Sequence, residues 1–538
     1  MQGGAAWLGS SGIGDVWGHN MTSLANHVLF AVGLSGCVAG SLESEPKESV
    51  IESAPGGETA ESTPPADSGG PDSPTDDTAS PHDSGSTDDS VAPDDSADPV
   101  PSEDDTGDSP DACDGDLPGV TDTKFCGDVE QQLAGWDLSY GGGTADEAVL
   151  FAAGDYLQLP GTYAEYVYVW YTPTEGSWLS SAVRIGGVES DETEGFGYSA
   201  EVGADLNGDG YNDLAAGAFA ADLSSGRNNA GSVLYFSGPF NEGRASTDAE
   251  ASIDGAGSDQ FFGEFLDVLQ DSDSDGYDEL IASTGWDTGK GYVILANCPI
   301  VSMKYSEADT VFRNSDGLPA SSLAVGDVDG DGVEDVLIGD VENSSKGKGA
   351  VFIAQSSDRG EVTLTDGVGV YAPAGSFARG YTAQAGDVTG DGYGDLLVDY
   401  RDTTGTWTLA AMVGPITSDQ TVDTAIATYT WTESDNRIRR AVVAGDLDAD
   451  GQSGDVVIGD TLTRTLYFAP APLSGAYTLD ADLAFVTDDA TGSGLGYTFE
   501  ALPDVTDDGI DDLLVAAAGD SEGNTYAGAV YTLWGGSW

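Results

Sequence analysis

The sequence predicts an all-β chain closed as a seven-bladed propeller, on three observations. An acidic loop of one spacing, D-x-[D/N/T]-x-D-G with a further carboxylate three or four residues on, occurs six times. The copies begin at Asp205, Asp271, Asp327, Asp387, Asp446 and Asp504, at intervals of 66, 56, 60, 59 and 58 residues, and a period of that kind marks repeated structural units. Each copy runs into a short apolar segment, a Gly-rich turn and a second run rich in β-branched and aromatic residues, while helical periodicity over ten or more residues is missing.

The first runs occupy 214–219, 280–283, 336–340, 396–400, 456–460 and 513–519, and the second runs 230–238, 289–297, 347–355, 406–414, 464–470 and 527–535. A seventh unit stands upstream without an acidic loop. Residues 144–155 align with the loop exit and first run, and 163–173 with the second, about one period before Asp205. Seven units of about 60 residues suffice for seven four-stranded blades around an axis, an arrangement that protects sheet edges by radial repetition.

Three segments follow from composition: a signal segment over 1–37, a linker over 38–112 and the propeller over 113–538. From Met21 a short apolar stretch ends in small residues before Cys37, as in a cleaved export signal, with translation starting at Met1 or at Met21. Leu34-Ser35-Gly36-Cys37 resembles the lipobox of bacterial lipoproteins, which implies lipidation of Cys37 and an outer-membrane or cell-surface anchor. The alternative is a plain secretory signal, since residues 1–37 hold no Lys or Arg. Residues 38–112 are Ser, Asp, Glu, Pro, Thr and Gly with almost no branched or aromatic side chain, so they cannot offset the entropy of ordering. As a flexible coil this tether reaches about 45 to 50 Å.

Acids outnumber bases by 94 to 17, a net charge of −77. Residues 1–112 hold 22 of the acids and one base, which leaves 72 and 16, a net −56, in residues 113–538. Such a field repels phosphate backbones and anionic lipid, so nucleic acid is excluded as a partner and the membrane is reached only through the lipid anchor. Cys113 and Cys126 bracket a short loop that an oxidising compartment would close as a disulfide, and Cys298 reads as a buried inert thiol.

The loops carry the chemistry. Calcium takes six to eight oxygens, and a loop with oxygen side chains at positions 1, 3, 5 and 9, a carbonyl at 7 and Gly at 6 can wrap one ion. The six candidate sets are Asp205, Asn207, Asp209, Tyr211 and Asp213; Asp271, Asp273, Asp275, Tyr277 and Glu279; and Asp327, Asp329, Asp331, Val333 and Asp335. The remaining three are Asp387, Thr389, Asp391, Tyr393 and Asp395; Asp446, Asp448, Asp450, Gln452 and Asp455; and Asp504, Thr506, Asp508, Ile510 and Asp512. Carboxylates this crowded repel without a cation, so about five to six Ca²⁺ are expected. An EF-hand would need a bidentate Glu at position 12, where this chain has Ala216, Ala282, Ile338, Val398, Val457 and Val515. Dockerin-type repeats would continue into a helix. Thr389 and Thr506 weaken the fourth and sixth sets, and Gly454 delays Asp455, so the second and third loops are expected to bind most tightly.

The chain resembles the FG-GAP repeats of the integrin α-subunit propeller and its bacterial relatives, over about 420 residues. Phe196-Gly197 and Phe262-Gly263 match the FG element and Gly217-Ala218-Phe219 the GAP element, with Phe377-Ala378 and Leu495-Gly496 as looser copies. The resemblance implies loops that join two strands within a blade and bind Ca²⁺, and a face that binds partners.

Catalysis finds little support. The histidines are His19, His27 and His82, so residues 113–538 cannot build Ser-His-Asp, Cys-His or His-zinc chemistry, and no carboxylate pair stands out for glycoside hydrolysis. Trp170, Tyr171, Trp178, Trp286, Trp407, Trp431 and Trp534 either stack on a ligand or fill the space between blades. Arg437, Arg439 and Arg440 form the basic cluster of an acidic domain, either anchoring an acidic ligand or balancing nearby aspartates. The expected function is calcium-stabilised binding or adhesion to an extracellular protein or glycan. Its competitors are a propeller hydrolase or lyase acting on extracellular polysaccharide, which converging carboxylates with a Lys or Arg would favour, and a passive envelope spacer.

Overall fold

A computed structural model of the chain describes Leu117 and residues 122–127, 133–142, 150–154, 165–171, 182–187, 194–223, 226–285, 291–296, 301–313, 322–340, 349–373, 376–378, 384–431, 438–479, 483–487, 494–506, 508–520 and 527–536. The signal segment, the linker, Cys37, Cys113, Cys298, Trp178, Trp286 and Arg437 lie outside the described residues.

The described strands form a β-propeller of seven sheets, with helical structure limited among them to single 3₁₀ turns such as Ser246–Asp248 and Val422–Thr424. The first sheet pairs Asp137–Gly141, Leu150–Gly154, Tyr166–Tyr171 and Val183–Gly186 in chain order, all antiparallel. It is the unit without an acidic loop. The second runs Phe196–Ala204, Asp213–Ala218, Ser232–Phe236 and Ala251–Asp254, the third Leu266–Leu269, Glu279–Ser283, Val293–Ala296 and Thr310–Arg313. The fourth runs Ser322–Gly326, Asp335–Asp340, Ala350–Gln355 and Val368–Tyr371. The fifth runs Phe377–Ala378 and Gln384–Gly386, Asp395–Arg401, Trp407–Met412 and Ala427–Trp431, and the sixth Ile438–Val443, Val456–Asp460, Thr465–Ala469 and Ala484–Thr487. The seventh holds Leu495–Leu502, Asp512–Ala517 and Ala529–Leu533, and takes its fourth strand from Asp122–Cys126 at the other end of the chain, with Phe125 opposite Val530.

Each sheet lies between two others, so its second and third strands are buried on both faces and read as continuous apolar runs rather than alternating ones. Seven apolar clusters fill the gaps between successive sheets. Val167, Val169 and Ile185 of the first sheet pack on Phe196, Val202 and Leu214 of the second, and Val233 and Ile253 on Leu280 and Ile294 of the third. The last gap joins the seventh sheet to the first, through Leu514 and Val530 against Leu138 and Tyr168. Short parallel additions tie neighbours further: Met303–Lys304 adds to the second sheet, Gly360–Thr363 to the third, Gln420–Thr421 to the fourth and Gly475–Thr478 to the fifth.

The glycines of the two-part motif meet across these gaps. Gly263 has φ +89°, and a Cβ on Gly217 would overlap its carbonyl oxygen, so two backbones approach where no side chain fits. Phe196 and Phe262 beside such glycines are fully buried. No helix among the described residues is long and apolar enough to cross a membrane.

Candidate metal centre

Sheets two to seven each carry an acidic loop between their first and second strands. All six loops fold alike. The carboxylate at position 1 turns back over the loop and accepts the backbone N–H groups of positions 5 and 6 at 2.7 to 3.1 Å, from Asp205 in the first loop to Asp504 in the sixth. The Asp at position 5 accepts the N–H of position 7 at 2.9 to 3.0 Å. Position 6 is left-handed in every copy, φ +86° to +93° at Gly210, Gly276, Gly332, Gly392, Gly451 and Gly509, which is what glycine supplies there.

The carboxylate at position 9 opens the second strand, or in Asp455 directly precedes it, and is at most 1% exposed in all six: Asp213, Glu279, Asp335, Asp395, Asp455 and Asp512. One oxygen faces the loop, accepting from Leu447 N–H to Asp455 at 2.8 Å and from Val505 N–H to Asp512 at 2.9 Å. In four of the six an oxygen is held by the turn after the third strand, through Gly238 to Asp213, Gly414 to Asp395 and Gly535 to Asp512, each at 2.9 Å, and Ala471 to Asp455 at 2.8 Å. Gln355 fills that place for Asp335, donating at 2.8 Å. Asp455 therefore occupies the common position despite its extra residue, because Gly454 takes it up at φ +99°.

Burial is the main force on these groups. It raises Asp213 and Asp455 to about 6 and Glu279 and Asp335 to about 7, and lifts Asp395 and Asp512 above the ordinary range. The accepted N–H groups pull the other way, and neighbouring loop aspartates such as Asp329 beside Asp335 add to the rise.

Positions 1, 3 and 9 converge where all three are acidic. Ligand atoms of Asp271, Asp273 and Glu279, of Asp327, Asp329 and Asp335, and of Asp446, Asp448 and Asp455 lie within 4.8 Å of one another. The carboxylates at position 5 are not in these groups. The first, fourth and sixth loops place Asn207, Thr389 and Thr506 at position 3, and Asn207 donates to Asp213 at 3.3 Å and to the Tyr235 hydroxyl at 2.7 Å. Position 7 side chains point outward, with Tyr211, Val333 and Tyr393 exposed. Glu279 Oε1 is buried with no hydrogen-bond partner, an acceptor that suits a cation. Asp273 also meets Arg359, Nη2 to Oδ2 at 2.8 Å, which offsets charge in the second loop.

A second set of acids was not legible as a site. Asp137, Glu201, Asp267 and Glu500 lie on the innermost strands of sheets one, two, three and seven, and Arg440 of the sixth acts on Asp137, Asp267 and Glu500. Arg440 reaches Asp137 at 3.8 Å, Glu500 at 3.6 Å and the Thr498 hydroxyl at 3.0 Å, and Ser139 donates to Glu201 at 2.8 Å. Burial raises Asp267 and Glu500 to about 7 and Glu201 well above its ordinary range; repulsion from Asp267 and Asp137 adds to the last, while Arg440 pulls Asp137, Asp267 and Glu500 down. The usable signal was positional, since Glu201, Asp267 and Glu500 each stand four residues after the motif glycines Gly197, Gly263 and Gly496.

The aromatics divide. Trp170, Trp407 and Trp431 are buried, and Trp407 and Trp431 stack at 6.2 Å as cross-strand partners, which assigns them to packing. At the ends of the sheets opposite the acidic loops, half-buried rings run Tyr497, Trp136, Tyr198, Phe219 and Phe261, with centroids 4.7, 5.5, 4.3 and 6.0 Å apart. Cys126 is buried and disulfide-bonded.

The family profile described as FG-GAP repeat matches residues 196–236 and 495–533, the second and seventh sheets with their loops. The chain carries two FG-GAP repeats. Both matched FG-GAP segments contain the left-handed motif glycine, Gly197 and Gly496, and a complete acidic loop. No curated protein matches the chain significantly. Among solved structures, the WD40 domain of coronin from Toxoplasma gondii is similar at 10% identity and a TM-score of 0.44, covering 78% of this chain and 88% of that one.

Proposed function

We propose that this FG-GAP chain is a calcium-stabilised recognition module displayed outside the cytoplasm. Each of the seven sheets is read as one blade, and the ring presents a face for an extracellular protein or glycan. One observation carries the calcium part: six loops repeat one hydrogen-bonded frame, and each closes on a carboxylate that burial makes costly to ionise without a cation. The oxygens at positions 1, 3 and 9 would hold the ion, with the position 7 carbonyl completing the set. Bound Ca²⁺ supplies the positive charge that lets those buried groups ionise.

Recognition is supported by the arc of aromatic rings at the ends opposite the loops, where amphipathic rings suit sugar faces or a protein anchor. Export, the tether and lipidation of Cys37 complete the reading, and mass spectrometry of the mature N-terminus tests the anchor. The main test is capture of extracellular glycans and proteins by the purified chain, with calcium and with chelator. Binding that is retained after Trp136→Ala and Tyr198→Ala would sink the assigned face.

A second reading, polysaccharide hydrolase or lyase, is favoured by the converging Asp137, Glu201, Asp267, Glu500 and Arg440. A raised carboxyl beside an ionised one is what acid–base glycoside chemistry uses. Release of reducing ends or unsaturated sugars, abolished by Glu201→Gln, would establish it.

A further inference from the structure

Successive acidic loops touch, and position 8, which is not among the candidate ligands, makes the contact. Asp278 stands there in the second loop. Its Oδ1 accepts the backbone N–H of Asp271, the first residue of its own loop, at 2.9 Å, and its Oδ2 that of Asp205, the first residue of the preceding loop, at 2.7 Å. Its own N–H returns to the Asp205 carbonyl at 3.1 Å. Asp511 repeats this arrangement: Asp504 donates to Oδ1 at 3.1 Å, Asp446 of the fifth loop donates to Oδ2 at 2.9 Å, and the Asp511 N–H meets the Asp446 carbonyl at 3.1 Å.

The other junctions are built differently. Position 8 of the fourth loop is Gly394 and the matching residue of the fifth is Gly454, and a Cβ on either would overlap the carbonyl oxygen of Asp327 or Asp387 in the loop before. Those contacts are backbone against backbone, with no carboxylate between. Glu334 of the third loop accepts from Gln270, one residue ahead of the second loop. Asn212 of the first loop donates to the Gly142 carbonyl of the first sheet at 3.2 Å.

We propose that Asp278 and Asp511 are coupling residues that make two neighbouring metal loops one cooperative unit, the first with the second and the fifth with the sixth. The inference rests on the calcium reading above. The residue each clamp fixes is position 1, whose carboxylate organises the N–H groups of its loop, so fixing its backbone fixes the frame of the ligand set. An ion that orders one loop then orders part of the next, and the second ion meets a smaller ordering cost; by linkage the effect is equal in both directions.

Amide hydrogen exchange of the full chain across a calcium titration, resolved to loop peptides, gives each loop its own midpoint. Glu279→Gln disables the second loop at its buried carboxylate. It should raise the calcium midpoint of the first loop about fivefold or more in the chain that keeps Asp278. In an Asp278→Asn background, where the side-chain amide can accept from one of the two N–H groups only, that shift should shrink to less than about twofold. Asp395→Asn, across the glycine junction, should leave the midpoint of the third loop in place. The pair Asp512→Asn and Asp511→Asn asks the same of the fifth loop, so one variant that fails to fold leaves a junction to decide. A first loop indifferent to Glu279→Gln, or a third loop that responds as strongly to Asp395→Asn, overturns the coupling and leaves the calcium reading standing. An unsubstituted chain in which no loop gains protection on adding calcium overturns both.

Discussion

Two sets of carboxylates are raised by burial in this molecule, and their surroundings set them apart. The position 9 groups are enclosed, fixed by backbone N–H donors and crowded by other aspartates, and among the described residues no Lys or Arg ion pair reaches them. The inner-strand groups are half-buried and Arg440 acts on three of them, with 19% of Asp137 and 32% of Glu500 side-chain surface still exposed. Both sets are costly as anions. In the first set Glu279, Asp335 and Asp455 each converge with two further carboxylates that a divalent ion could satisfy; the second has an arginine and, failing that, a proton. The loops should therefore answer to calcium and the inner strands to pH.

Chelation gives the largest separation of the two. A site held at a hundred times its dissociation constant contributes about 2.7 kcal/mol, and several loops add. Removing calcium should lower the melting temperature by more than about 10 °C, while calcium should leave the inner-strand groups titrating as before. An unchanged melting temperature together with no metal found by elemental analysis would erase the distinction.

Asp335→Asn asks it of one residue. With calcium present the variant should lose about 2 to 3 kcal/mol, the share of one site, in denaturant melts. In chelator the loss should be much smaller, because a buried carboxylate raised to about 7 has been replaced by a neutral amide that still accepts on one side. Glu500→Gln, by contrast, should show the same change with and without calcium.

Much of this was readable from residues alone, for physical reasons that also mark where reading stopped. The loops announce themselves because one hydrogen-bonded turn needs Asp and Gly at fixed spacing, and the buried second and third strands because two-sided burial demands continuous apolar runs. The all-β propeller followed from both. Asp122–Cys126 did not, since five residues without alternation pair with a strand more than 400 positions away, and only ring closure calls for that partner. The inner carboxylates were invisible for a related reason: Asp137, Glu201, Asp267 and Glu500 belong to four sheets, and only the ring brings them to one place. Position 8 looked like one more acid in an acidic loop, and its double acceptance appears only when neighbouring loops are seen together.

The pH response separates the sets in the opposite sense. A carboxyl near 4.3 when unfolded and about 7 when folded binds more protons in the folded state between those values. Its folded form is thus best stabilised at low pH and loses that advantage as pH rises through about 7. In chelator the melting temperature should rise as pH falls from 8 to 5, and Glu201→Gln with Glu500→Gln should flatten the curve. Saturating calcium should shrink only the loop contribution. The 32% exposure of the Glu500 side chain keeps the inner share modest, about 1 kcal/mol, because solvent screens it. A melting temperature that falls on acidification in chelator would reverse the argument.

Arg359 is the exception inside the loop set, and it provides the finest test. Its guanidinium holds Asp273 at 2.8 Å, with 40% and 27% of the two side chains exposed. An ion pair so exposed is worth about 0.5 kcal/mol, and calcium must compete with it for the same carboxylate. Arg359→Gln should therefore tighten the second loop about twofold, the affinity equivalent of that energy, and leave the third loop unmoved. Isothermal titration at two salt concentrations measures it, since screening weakens the ion pair and should narrow the difference between variant and parent. A gain that persists undiminished at high salt would mean that Arg359 acts on the second loop through its packing and not through its charge.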